Sequence, residues 1–134
     1  MNRAETARLL GLAAAFDQRT VGDADVVAWS TVLDWVPFTD GVAAVKAHYA
    51  VEVRRVMPAD VLGFARRVRR DRLDATVLPE PPAGLSAAGF VAWKQATLRA
   101  IGDGSFVAPV RVELPARDVR GLLSSAFRSA EEAS

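Results

Sequence analysis

Apolar residues in this chain recur three and four positions apart, in stretches that proline divides, and this pattern is what most limits the fold. Proline inside a helix removes a hydrogen-bond donor and clashes with the preceding turn, so Pro37, Pro58 and the group Pro79, Pro81 and Pro82 mark where helices must end or begin. Asn2 and Glu5 have the spacing of a capping box, and Leu9, Leu10, Ala13 and Phe16 share one face, which predicts a first helix from about Arg3 to Phe16. The polar run Asp17 to Thr20 ends it. Asp23 is placed to cap a second helix with the stripe Val26, Trp29, Leu33 and Val36, stopped by Pro37. Thr39 is expected to cap a third, with Val42, Val45 and Tyr49 inward, fraying near Glu52. Met57 precedes Pro58 and favours an extended backbone, so Pro58 opens a fourth helix with Asp60 near its positive end and Val61, Phe64, Ala65 and Val68 as its apolar stripe.

From Asp74 the periodicity breaks, and the prolines with Gly84 read as a stiff linker over 76–86. Ser86 is a cap for a fifth helix with Phe90, Trp93, Thr97, Ala100 and Ile101 on one side, ended by Gly102 and Gly104. Pro109 to Pro115 alternates like a short edge strand, through Val110, Val112 and Leu114, with no evident partner. A last helix over about Arg117 to Ala130 aligns Val119, Leu122, Leu123, Ala126 and Phe127. The expected fold is all-α: a small bundle of four N-terminal helices and two C-terminal helices with one minor strand element. The expected domains are a helical unit over 1–75, the linker, and a C-terminal partner-binding segment over 87–134.

A chain of 134 residues can bury a self-sufficient core. With no cysteine it has neither disulfide nor thiolate metal site, which suits a reducing cytoplasm. The apolar run Leu9 to Phe16 is too short to span a bilayer, and no membrane partner is expected. Of the 17 basic residues only Lys46 and Lys94 are lysines, and alanine is abundant, a bias of high-GC genomes such as an actinobacterium or its phage.

Groups for catalysis are sparse. The one histidine, His48, falls within the third helix without companion ligands and reads as a surface or partly packed residue. Gly102-Asp103-Gly104-Ser105 lacks the spacing and the lysine of a phosphate loop. Asp23 with Asp25, and Glu131 with Glu132, are explained by helix capping and a solvated tail. No catalytic residue, metal, cofactor or small-molecule substrate is assigned, and the chain is not expected to be an enzyme.

The net charge of +1 hides an asymmetry. Residues 53–72 hold Arg54, Arg55, Arg66, Arg67, Arg69, Arg70 and Arg72 against Asp60 and Asp71, and so carry the whole positive excess. At about 100° per residue, Arg66, Arg67 and Arg70 fall opposite the fourth helix's apolar stripe, with Arg69 on its flank, as a nucleic-acid contact would require. Phe64 is the one aromatic in that segment and sits on the apolar side, so the segment alone does not indicate base stacking. Trp35 fits the second helix's inward stripe least and is expected to be exposed. Together with Leu122, Leu123 and Phe127 it is a candidate partner-binding residue.

Trp29 with Leu33, Ala44 with His48-Tyr49, and the run Pro58-Ala59-Asp60-Val61 resemble the N-terminal domain of phage replicative helicase loader and inhibitor proteins. The resemblance covers about residues 3–72. It implies a small nucleotide-independent adaptor that holds the replicative DNA helicase, with an initiator protein or DNA as further partners. It also implies a compact helical N-terminal domain followed by a looser part that orders on the helicase. The amphipathic stretch from Phe90 to Phe127 departs from that last feature. From the residues alone, a DNA-binding transcriptional regulator and a phage structural or assembly protein are the alternatives. The connection from Val53 to Pro58 is long for a helix-turn-helix.

Overall fold

The computed structural model describes residues 1–108, and all the regular structure among them is helical. The expected strand at Pro109–Pro115 and the last helix, with Leu122, Leu123 and Phe127, lie outside the described residues. Five helices follow in order: α1 Arg3–Asp17, α2 Asp23–Val32, α3 Phe38–Val51, α4 Pro58–Ala75 and α5 Ala87–Asp103. The packed pairs are α1 with α2 and α3, α3 with α4, and α4 with α5.

The cap of α1 forms as its sequence requires. Glu5 N–H donates to the Asn2 side chain and Asn2 N–H donates to the Glu5 carboxylate, each at 2.9 Å. Leu9, Leu10 and Ala13 then face the core, where they meet Trp29, Leu33, Val36, Ala44, Val45, Val56, Val61 and Ala65. The expected stripes of α1–α4 therefore supply most of the core, with Val26, Val42, Tyr49 and Phe64 at its margin. Among the expected members that stay outside it are Phe16 of α1, 52% exposed and stacked on Tyr49, and Phe90 of α5, 40% exposed.

Three local expectations are corrected. The cap of α2 is Gly22, whose N–H donates to the Asp25 carboxylate at 2.9 Å, so Asp23 is already inside the helix. The helix ends at Val32 and not at Pro37, because Val36 precedes proline and disfavours helical backbone. A turn replaces the last helical residues, with Val36 N–H donating to the Leu33 carbonyl, and it still buries both side chains. The Met1 ammonium donates to the carbonyls of Leu33, Asp34 and Val36 at 3.1, 2.7 and 2.8 Å, which satisfies acceptors that the shortened helix leaves open. For α3, Pro37 and not Thr39 is the cap; Pro37 takes φ −59° and ψ 140°, and the helix starts at Phe38. The expected cap Thr39 is left exposed.

The junction of α1, α3 and the α3–α4 connection is polar and closed. Arg19 lies against the Asp17 carboxylate, with Nε 3.0 Å from each oxygen and Nη2 2.5 Å from Oδ2. Its Nη2 also donates to the Val56 carbonyl at 2.9 Å. The Tyr49 hydroxyl donates to Asp17 and accepts from Val56 N–H at 3.1 Å, while its ring stacks on Phe16. The Asp17 and Arg19 side chains are only 7% and 11% exposed, so each charge relies on the other for its solvation.

These contacts predict acid sensitivity. The Arg19 hydrogen bond, opposed by burial and aided by Tyr49, holds the Asp17 carboxyl well below the usual carboxylate range. Arg54 brings Asp60, which also accepts from Met57 N–H, down to about 2. Both folded-state values are depressed, so their contribution to stability is complete above the unfolded carboxylate value and is lost as pH falls toward the folded values. The urea midpoint is expected to be flat near neutrality and to fall from about pH 4 toward pH 2. Asp17→Asn is expected to lower stability at neutral pH and to blunt that fall; an unchanged acid profile in the variant contradicts the network.

Candidate nucleic-acid and partner interface

The arginines of α4 divide into two sets according to where the helix meets its neighbours. Arg72 points inward. Its Nη1 and Nη2 donate to the two Asp40 oxygens at 2.7 and 2.6 Å, and Nη1 also donates to the Gly102 carbonyl at 3.1 Å. Asp40 sits in the first turn of α3 and is 5% exposed, so this fork joins the start of α3 to the last turn of α5. Arg69, one of the expected nucleic-acid residues, is instead paired with Asp103 and remains about one third exposed.

Glycine permits this close approach. A Cβ on Gly102 would lie 2.6 Å from Arg69 Cζ and 3.0 Å from its Cγ. Gly104 adopts φ 74°, a left-handed closure of α5 that puts its backbone against Arg72. Ser86 caps the other end of α5 as expected, accepting from Gly89 N–H at 3.1 Å.

The second set faces outward. Arg66, Arg67 and Arg70 are exposed. Among the described residues none of the three has an acidic partner within ion-pair distance. Arg67 lies over the Phe64 ring, 5.3 Å from its centroid. Arg54 is bound to Asp60, at 2.6 and 2.9 Å, and serves the α4 N-terminus. The basic run thus serves two roles that sequence counting cannot separate.

Trp35 is 40% exposed, as expected, while Trp29 is buried in the core. Trp35 opens onto a cleft with Asp34, Arg69, Arg99 and Asp103. Arg99, on α5, is not singled out by sequence spacing; with Lys94 it is one of two bases in a mostly apolar helix, and only the seating of α5 on α4 brings it beside Trp35. His48 is packed, not on the surface, at 8% exposure. Its Nε2 lies 2.8 Å from the Arg54 carbonyl and its ring is edge-on to Tyr49. It holds the α3–α4 connection. Among the described residues no cluster of three acidic or histidine side chains has the arrangement of a metal site, and no helix is long and apolar enough to cross a membrane. No family model matches this sequence, and no curated protein or solved structure matches it.

The division predicts opposite mutational outcomes. Arg72→Ala leaves the Asp40 carboxylate buried without its fork and is expected to cost about 2–3 kcal/mol, less than the about 3–5 kcal/mol of a fully buried pair because Arg72 itself is partly exposed. Replacing Arg66, Arg67 and Arg70 together with alanine is expected to cost under about 1 kcal/mol. Urea denaturation of both variants checks this, and equal costs contradict it.

Proposed function

We propose that this chain is a non-catalytic DNA-replication adaptor that binds a replicative DNA helicase, as its loader or inhibitor, and touches DNA through α4. The observation that carries the reading is the outward arginine face. Arg66, Arg67 and Arg70 are left exposed and, among the described residues, without acidic partners, on a helix whose Arg69 and Arg72 fix the fold. Unpaired guanidinium groups on one rigid face bind phosphates by releasing counterions. The helicase as partner is supported by the resemblance over residues 3–72, carried by Trp29, Leu33, Ala44, His48, Tyr49 and the Pro58–Val61 run. Four of these, Trp29, Leu33, Ala44 and Val61, belong to the buried core. In this reading the anchors for macromolecular partners are Trp35, together with Leu122, Leu123 and Phe127 of the C-terminal sequence.

In this reading the purified chain hydrolyses neither ATP nor GTP, and turnover that titrates with the purified protein contradicts it. The host's replicative helicase is expected to co-elute with the full chain. Replacing Leu122, Leu123 and Phe127 with serine is expected to weaken that association at least tenfold, since three such side chains contribute about 3–6 kcal/mol before ordering costs. The alanine variant of Arg66, Arg67 and Arg70 is expected to keep helicase binding and to lose DNA affinity equally across sequences, with a flatter salt dependence. DNA binding without any helicase association makes the chain a DNA-binding regulator instead.

A further inference from the structure

Trp35 is large, aromatic and partly open to solvent, yet the turn that carries it is one of the most firmly held parts of the fold. Leu33 and Val36 on either side of it are fully buried, and the Met1 ammonium binds three carbonyls of the same turn. The Trp35 N–H donates to the Asp34 carboxylate at 2.7 Å. The exposure of the ring therefore does not come from a slack loop. The ring faces a cleft whose far wall is built from Arg69 of α4 and Arg99 of α5. The same two arginines border a second hollow over Ala92, Gln95, Ala96 and Leu98, so the surface continues from the indole along α5.

We propose that this cleft binds single-stranded nucleic acid, with an unpaired base stacked on the Trp35 indole and the adjoining phosphates on Arg99 and the outward arginines of α4. The inference rests on the DNA contact proposed above and names its substrate class. Two observations favour a single strand over a duplex. The first is the aromatic face, which is available to a base only when that base is unpaired. The second is charge. Arg69 is bound to Asp103, and Asp34 lies at the rim, so Arg99 is the lining arginine without an acidic partner among the described residues. A duplex, held mainly through its phosphates, gains little from so balanced a cleft, whereas a stacked base does not need an excess of cations. Around the α4 axis Arg66 and Arg70 lie about 60° and 100° from Arg69, and they give the strand its phosphate contacts as it leaves the cleft. Asp71 and Asp74 on the same helix limit how many phosphates it can hold. The binding is thus driven by stacking, with few phosphates engaged.

The test uses the full chain, a short labelled oligothymidylate and a duplex of the same length, with anisotropy read across a salt series. The single strand is expected to bind more tightly than the duplex, with a log–log salt slope near −2 for three phosphates. Trp35→Ala is expected to weaken single-strand binding about tenfold, and Trp35→Phe to retain most of it. Arg99→Ala is expected to weaken it and to reduce the slope by about 0.7. Unchanged affinity in Trp35→Ala with helicity intact overturns the inference; if that variant loses helicity, an unchanged slope in Arg99→Ala overturns it. Binding lost only on removal of Arg66, Arg67 and Arg70 leaves the DNA contact standing and removes the cleft. Failure of the wild-type chain to bind the oligothymidylate overturns the inference whatever the helicase experiment gives. Loss of helicase co-elution in Trp35→Ala with oligonucleotide binding intact makes the cleft a protein site and also overturns it.

Discussion

The arrangement of α3, α4 and α5 depends on the Arg72 guanidinium. From one position on α4 it donates to both oxygens of Asp40 at the start of α3 and to the Gly102 carbonyl at the end of α5. A planar fork suits this work, because it can meet a carboxylate with two parallel hydrogen bonds and still direct a donor elsewhere. Lysine at the same position would carry the charge without that geometry. The same guanidinium, through its hydrogen bond to the Gly102 carbonyl, also holds the end of α5, and with it the cleft beside Trp35. Arg69 and Asp103 repeat the connection one turn earlier on α4, and Gly102 lets the two helices approach.

With α5 held in this way, the remaining arginines of α4 face away from the protein. That separation gives one helix two roles: Arg69 and Arg72 fix the neighbouring helices, while Arg66, Arg67 and Arg70 present charge. That exposed face is the feature on which the proposed adaptor reading rests. The rigid turn around Trp35 has the same logic. The Met1 ammonium and the buried Leu33 and Val36 fix the backbone from which the ring projects, so any partner of the ring would not have to order that turn.

Much of the fold was legible from local chemistry. The Asn2–Glu5 capping box, Pro58 in the first turn of α4, Ser86 as a cap and Gly104 as the stop of α5 are short-range features, and each appears where the residues placed it, whereas Gly102, also expected to end α5, lies inside its last turn, where it makes room for Arg69. The core stripes were legible because burial follows helical spacing. The errors at α2 and α3 arose where competing caps lie within a few residues: Gly22 with Asp25 displaced Asp23, and Pro37 displaced Thr39. The site was less legible. The exposure of Trp35 followed from its misfit to the α2 stripe, but the different fates of Arg69 and Arg70 depend on Asp103, more than thirty residues away. The packing of His48 against the Arg54 carbonyl likewise depends on how the α3–α4 connection folds back. Helical spacing places side chains on a face; it does not say what that face meets.

The central claim is that Arg72 and Asp40 act as one unit that seats α3, α4 and α5 together, and a double-mutant cycle tests it directly. Arg72→Ala, Asp40→Ala and the double variant are compared by urea denaturation at neutral pH. If the fork holds the helices as described, the double variant is much less destabilised than the sum of the single variants, with a coupling of about 2 kcal/mol. Additivity within about 0.5 kcal/mol would contradict the account, because it would mean that the two residues contribute independently and that the fork does not join α3 to α4.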